Sequence, residues 1–498
     1  MKRLITLLTV LCLASTPALG QWSTDSLSVG RSTLAAVTIG DYALFAGGKG
    51  VSSSLGTVDA YQISTGIWST AALSVPRMSI GATVVGQYAI FAGGADYYTQ
   101  TVFKTVDVYD SIVGPPNDPL AWSTVSLTSK RGAVAATTAG TKAIFAGGFD
   151  GNPLVASAEV DIYDSAVGPP SDPTAWSSST SLSEPRVLIC PATVGTLALF
   201  AGGTDFSQPT SKVDIYDSNT GVWSTASLSQ ARSLGPDSAA TVGSLTFFFG
   251  GVVSAPPNLV VSDVVDVFDA QTGLWSTLTM DVGRVGHGVT AVGNQVFIAG
   301  GQLSSQATTD LVEVLDATTL SWGAPCKLSE PRTFLEAVTV SGQAMFAGGE
   351  VSIGTFSDVI DIYQPAGSVL ATETSRVGSP PNPLAFLPGV TTGPLVGETW
   401  DPVIDHTTFA TGAFQDFIAV TLQGPVNFTT AFGTLLILPP FEGAIEINNA
   451  SGTPFAISIP DDCLLLGLNV WTQGASLIPG PGAGVELANA LDLTLGNI

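Results

Sequence analysis

Residues able to do covalent or metal chemistry are few in this chain, and they are badly spaced for it. His287 and His406 are its only histidines. A copper or zinc centre built on imidazole needs its ligands to converge on one point, and these two lie far apart. Cys190, Cys326 and Cys463 show no metal-ligand spacing, so buried free thiols are expected rather than a disulfide framework. There is no Gly-x-Ser-x-Gly elbow, phosphate-cradling glycine loop or Cys-x-x-Cys pair. Four carboxylates, Asp110, Asp118, Asp164 and Asp172, flank two proline-rich stretches. Calcium, which takes carboxylate and carbonyl oxygens, is the one cofactor these suggest, although their spacing matches no known calcium loop.

Side chains suited to binding are richer. Tyr97, Tyr98, Phe103 and Lys104 lie in one loop, Phe149 and Asp150 in a second, and Asp205 and Phe206 in a third. Aromatic rings beside carboxylates and amides offer stacking faces together with groups that fix orientation. With His287 and Glu350, these are the candidate binding residues. No catalytic residue or metal ligand is assigned.

The elements that position them repeat. Diglycines recur at Gly47-Gly48, Gly93-Gly94, Gly147-Gly148, Gly202-Gly203, Gly250-Gly251, Gly300-Gly301 and Gly348-Gly349. They alternate with Trp22, Trp68, Trp122, Trp176, Trp223, Trp275 and Trp322. An arginine stands at the same place in each unit (Arg31, Arg77, Arg131, Arg186, Arg232, Arg284 and Arg332), at intervals of 46 to 55 residues. Each unit reads as four short strands bounded by turn residues, with no helical period. A repeat of this length with four strands predicts a propeller, whose sheets cover one another around a ring.

The first tryptophan precedes the first diglycine and none follows the last. The final unit therefore lacks its fourth strand, and residues 21–26, which read like Trp68-Ser69-Thr70, are expected to supply it. An acidic residue stands two places before the third-strand aromatic, or before Leu315 in the sixth unit: Asp59, Asp107, Asp161, Asp214, Asp266, Glu313 and Asp361. These are expected to meet a backbone amide or a repeat arginine.

The diglycine after an aromatic (Phe45, Phe91, Phe145, Phe200, Phe346), the third-strand aromatic (Tyr61, Tyr109, Tyr163, Tyr216, Phe268, Tyr363) and the tryptophan beyond it resemble the kelch motif. The likeness covers about 340 residues and is weakest in the sixth unit, where Leu315 fills the aromatic slot. It implies an all-β protein, a seven-bladed kelch-type β-propeller closed by an N-terminal strand. Some kelch propellers are copper radical oxidases, but that site needs two histidines, two tyrosines and a cysteine on converging loops. Others act on sialic acid sugars. By that resemblance Glu336 or Glu350 with an arginine would do acid–base work, and a carbohydrate-active enzyme is the alternative to a binding scaffold. No Asp-box is present, since Ser218-Asn219-Thr220-Gly221-Val222-Trp223 departs from its pattern.

Around the repeats the expected organisation is a signal peptide at 1–20, the propeller at 21–366, a linker at 367–382 and a β-sandwich module at 383–498. Lys2 and Arg3, an apolar run from Leu4 to Leu13, and Ala18-Leu19-Gly20 make the secretory signal. In the C-terminal part, strands are expected at 416–422, 434–438, 444–447, 455–459, 464–470 and 485–495. Its runs 433–437 and 489–494 resemble a module found on secreted bacterial repeat proteins, which implies surface attachment or export. The net charge is −24, which disfavours nucleic acid and anionic membranes as partners. No stretch beyond the signal is long and apolar enough to span a bilayer. The expectation is a secreted or cell-surface protein, exported by a bacterial-type signal, that binds a protein or a glycan.

Overall fold

The computed structural model describes residues 22–364 apart from 152–153, 179 and 255–258. In the C-terminal part it describes 372–378, 381–389, 393–396, 398–422, 426–430, 433–436, 446–448, 451–459, 468–479 and 484–495. The expected signal and residues 367–371 and 379–380 of the expected linker lie outside these residues, while Thr372–Arg376 within that linker form a strand instead, paired into the C-terminal sheet. Among the described residues the chain is all-β, built of small antiparallel sheets.

The second repeat shows how a unit folds. Gly81–Val85 turns through Gly86 and Gln87 into Tyr88–Ala92, then come Thr105–Asp110 and Trp122–Ser126, paired in that order. Gly86 has φ +57°, the conformation that a two-residue hairpin turn requires and that glycine adopts without penalty. Within the first compact unit, Trp22–Gly323 with Lys327–Pro365, the described residues form seven such sheets.

Their first strands are Ala35–Ile39, Gly81–Val85, Ala135–Ala139, Cys190–Val194, Ala239–Val242, Gly288–Val292 and Glu336–Val340. Each lies beside the next, and the last lies beside the first. This closed cycle is consistent with a kelch propeller. Trp22–Ser26 pairs antiparallel with Val359–Tyr363, Trp22 opposite Tyr363, and is the outermost strand of the last sheet.

Neighbouring sheets are joined through the diglycines. The second glycine's N–H donates to the carbonyl of the next sheet's arginine: Gly48 to Arg77 at 3.0 Å, Gly94 to Arg131 at 2.9 Å, and so on around to Gly349 and Arg31 at 2.9 Å. A Cβ on Gly93 would stand 2.3 Å from the Arg131 carbonyl oxygen, so no side chain fits there. Between sheets lie the apolar clusters. Phe91 and Tyr109 of the second sheet pack with Leu44, Val58 and Ala60 of the first, and Trp122 covers them from the edge. Each large side chain buried this way contributes about 2–3 kcal/mol.

The seven arginines are fully buried. Each pairs with the acid of its own unit, as in Arg31–Asp59 and Arg77–Asp107, both at 2.7 Å; Arg131–Asp161, Arg186–Asp214 and Arg284–Glu313 repeat the pairing. The same guanidinium donates to the carbonyl of the second-strand residue two before the diglycine, Phe91 in the second sheet at 3.1 Å. The acid's other oxygen accepts a backbone amide from the segment leading into that sheet, Ser74 for Asp107 at 3.0 Å. Both expected partners of the repeated acids are thus engaged at once. Burial pulls each arginine below its ordinary pKa while the carboxylate pushes it back. Seven charges are held in the interior because each is paired and hydrogen-bonded.

The tightly bound prolines of the second and third units have their own logic. Asp118 and Asp172 cap single 3-10 turns at Pro119–Ala121 and Pro173–Ala175 by accepting from Leu120 and Thr174. Trp122 and Trp176 donate to the carbonyls of Pro116 and Pro170. Asp110 accepts from Ile112, and Asp164 accepts from Thr141 and Ala166 and pairs with Lys142. The carboxylates considered for calcium hold these loops together.

The C-terminal unit contains a five-stranded sheet ordered Thr372–Arg376, Gly484–Thr494, Asn469–Ile478, Gln415–Thr421, Glu446–Asn448. The expected strand 464–470 is displaced: the strand runs Asn469–Ile478 and carries a bulge between Gln473 and Ala475. Gly474 at that bulge lies so near Phe386 that a Cβ would be 2.9 Å from the ring, so the glycine marks close packing rather than a strand end. Buried amide side chains complete the backbone pairing. Asn382 and Gln473 both donate to the carbonyls of Thr434 and Ala488. The cysteine expectation also needs correction, because Cys326 is disulfide-bonded while Cys190 is free and buried. A lone residue's spacing in sequence does not show which thiol folding brings to it.

Candidate binding face

The first strands begin together at one mouth of the ring. Just before each stands a residue of positive φ: Thr33, Ser79, Ala133, Leu188, Gly235, Gly286 and Phe334, with φ from +49° to +84°. They are linked by backbone hydrogen bonds between neighbouring sheets. Ser79 donates to Thr33 at 3.1 Å, Ala133 to Ser79 at 2.9 Å, Phe334 to Gly286 at 2.7 Å, and Thr33 to Phe334 at 3.1 Å. Five of these positions lack glycine, and left-handed backbone at each costs on the order of 1 kcal/mol. Deeper in, threonines tie the first strands together: Thr83 with Thr138, Thr137 with Thr193, and Thr290 with Thr339 at 2.6–2.8 Å.

One strand position decides what this mouth contains. The residue paired with the one before the diglycine is Ala35, Gly81, Ala135, Cys190, Gly288 or Glu336 in six sheets. Small residues prevail because a Cβ at Gly81 would meet the Val134 carbonyl oxygen at 2.5 Å. In the fifth sheet Ser238 takes this place, its carbonyl accepting from Phe249 at 2.8 Å. Six residues separate Arg232 from Ser238, against four in the other units. The two extra residues make room for a turn at Pro236 and Asp237, and Asp237 is half-buried there.

The carboxyls of Glu336, from the seventh sheet, and Asp237, from the fifth, interact with each other. Between them the sixth sheet offers only Gly288, whose added Cβ would already lie 3.0 Å from that of Ala337. Burial raises both carboxyls above the usual range, and Asp237 raises Glu336 further. Burial likewise raises the Cys190 thiol, which lies under the same insertion with its sulfur 3.9 Å from the Pro236 carbonyl. Exposed Leu188 and Phe334 flank them.

The diglycine loops rise around this mouth. The residue after each diglycine bridges to the one after the arginine: Ser32 to Lys49, Met78 to Ala95, Gly132 to Phe149, Thr333 to Glu350. Short hairpins then project. Tyr97 is exposed, with Lys49 Nζ 5.3 Å from its ring; the same ammonium lies 5.4 Å from the ring of Phe356. Tyr98 donates to the Gly50 carbonyl at 2.6 Å. Phe149 covers Gly132 and meets Phe206 of the next loop edge to face at 6.2 Å. Asp150 pairs with Lys130 at 3.4 Å, both exposed.

Asp205 accepts from the amides of Ser207 and Gln208, which hold its carboxyl down at about 2. Glu350 accepts from Gly354 at 2.7 Å. Phe103 and Lys104 sit where the second hairpin returns. The Phe103 amide donates to Gly94, and the Lys104 carbonyl accepts from Leu127.

His287 does not join this face. It is 1% exposed and packed between Gly250 and Gly301, in the place that Ile80 and Leu335 hold in other units. Burial, with Arg284 nearby, pulls its pKa down to about 3. His406 belongs to the C-terminal unit. Its Nε2 faces buried Asp416 at 2.9 Å, and that carboxylate also accepts from Gly452 and Ser476.

Asp237, Leu188 and Phe334 were missed by sequence reasoning, and Glu336 was set apart from other glutamates only by resemblance. The signal available was comparative. Counting from each arginine shows small residues at the strand start except Cys190 and Glu336, and shows the longer fifth interval.

Two comparisons with known proteins bear on this geometry. A kelch motif model matches residues 283–322, the unit with leucine in its aromatic slot. The chain is 30% identical over 115 residues to Kelch-like protein 9 of Mus musculus, covering 22% of this chain and 18% of that protein. It is 31% identical over 115 residues to Kelch-like protein 13 of Mus musculus, 22% and 17% of the two chains. It is also 26% identical over 170 residues to Kelch-like protein 21 of Homo sapiens, 33% and 27%. The chain thus spans about a sixth to a quarter of the length of these curated relatives. The all-β array of repeated sheets and these matches together support a kelch-repeat family for this chain.

Proposed function

We propose that this chain is an exported, seven-bladed kelch propeller that binds a protein through the face where its diglycine loops gather, with the C-terminal β unit serving export or surface attachment. Kelch repeats generally mediate protein binding. The observation that carries the reading is the loop face itself. Hairpins of adjacent sheets brace one another, through Ser54 with Asp96 at 2.9 Å, Phe149 with Phe206, Val261 with Ser304 at 3.2 Å, and Thr308 with Val351 at 3.2 Å. A rigid rim of loops binds without a large ordering cost. The disulfide at Cys326 supports an oxidising destination.

The carboxyl pair is a weaker basis for sugar chemistry. The carboxyls of Asp237 and Glu336 interact with each other, whereas glycoside hydrolysis needs two carboxyls about 5 Å or more apart with the bond to be cleaved between them.

The test replaces Tyr97, Phe206 and Ile353 by serine on the loop face. A second variant replaces Ile67, Leu120 and Leu274 at the other ends of the sheets. Proteins cross-linked to the wild type from its native surroundings should be lost with the first variant and kept with the second. Equal loss with both would sink the assignment to the loop face.

A further inference from the structure

The loop face exposes large apolar side chains at its hairpins: Val51, Tyr97, Val155, Phe206, Val260 and Ile353, the last fully exposed. They come from six of the seven sheets and stand around a mouth bearing Leu188 and Phe334. Apolar side chains are also exposed at the opposite ends of the sheets, such as Ile67 and Leu274, but these begin the outermost strands.

The charge of the loop face is acidic. The Asp237–Glu336 pair lies at the mouth, and Asp96, Asp150, Asp205 and Glu350 lie in the hairpins, on a chain of net charge −24. The chain already illustrates how a cation sits here, because Lys49 is held against the rings of Tyr97 and Phe356. Such contacts are favourable where the ammonium is partly shielded from water.

Building on the loop-face reading above, we propose that the partner presents a lysine or arginine on an apolar turn. Its apolar side chains seat among the hairpin tips, and its cation reaches the carboxyls of Asp237 and Glu336. An acidic turn would meet like charge at the mouth and in the hairpins, so the site discriminates by charge as well as by shape.

The test uses a phage library of disulfide-cyclised ten-residue random loops selected on the full chain at pH 7. Enriched loops are expected to carry Lys or Arg flanked by aromatic or aliphatic residues. Synthetic copies should bind Asp237→Asn/Glu336→Gln at least tenfold more weakly, with melting no lower than wild type. They should also bind Tyr97→Ser/Ile353→Ser about tenfold more weakly. Enriched loops lacking a basic residue, or bound equally by the carboxyl variant, would overturn the cationic partner while leaving the loop-face reading in place if the Tyr97/Ile353 variant still weakens them. Failure to enrich any loop, or binding that neither variant changes, would overturn both.

Discussion

The amide of Gly349 donates to the carbonyl of Arg31 at 2.9 Å. It is the seventh repetition of a bond that joins every sheet to its neighbour, and it joins the last unit to the first. Trp22–Ser26 lies on the same last sheet, opposite Val359–Tyr363. Removing residues 22–26 therefore takes away Trp22, which lies against Tyr363 and Phe346, and bares the edge of Val359–Tyr363. Calorimetry should find the main transition lowered by about 5 °C or more, with a rise in aggregation. An unchanged transition would mean that the ring does not depend on this strand.

Arg131 is fully buried against Asp161 and also donates to Gly147 and Glu159 carbonyls. Arg131→Ala leaves a buried carboxylate unpaired and should cost about 3–5 kcal/mol in urea unfolding. Arg131→Met with Asp161→Leu should cost less, because no charge is then stranded. If the double variant is the less stable of the two, the pair itself is the main stabilising term.

His287 occupies an aliphatic site. Its pKa of about 3 lies below the ordinary 6.5, so its neutral form favours the fold above pH 6.5, and that contribution is lost as pH falls toward 3. Between pH 7 and pH 4.5 the loss is roughly 2–3 kcal/mol. His287→Leu should melt at a higher temperature than wild type at pH 4.5, and the difference should shrink at pH 7. Parallel pH profiles for the two proteins would contradict the burial argument.

Glu336 has the opposite sign. Its pKa and that of Asp237 are raised in the fold, so the stability they lend is present below their unfolded values and disappears as pH rises through the folded ones. Glu336→Gln keeps the neutral form at every pH. It should melt higher than wild type at pH 8 and nearly equal to it at pH 5, which a thermal scan across that range would reveal. A variant less stable at pH 8 would show that the second negative charge is tolerated at the mouth.

What sequence alone determined was whatever recurs. Diglycine, arginine, acid and tryptophan repeat because the same backbone approach and the same buried ion pair must be made in every sheet, so pattern and cause coincide. The N-terminal strand was legible for the same reason, since Trp22-Ser23-Thr24 repeats Trp68-Ser69-Thr70. The tertiary structure decided what does not recur. His287 reads as a polar residue beside an arginine, yet the fold places it between two glycines of different sheets. Asp237 and Glu336 stand 99 residues apart and meet because five and seven are near neighbours on a small ring with only a glycine between. An interaction between the fifth and seventh sheets depends on how the sheets are arranged around the cycle, and no local spacing carries that information.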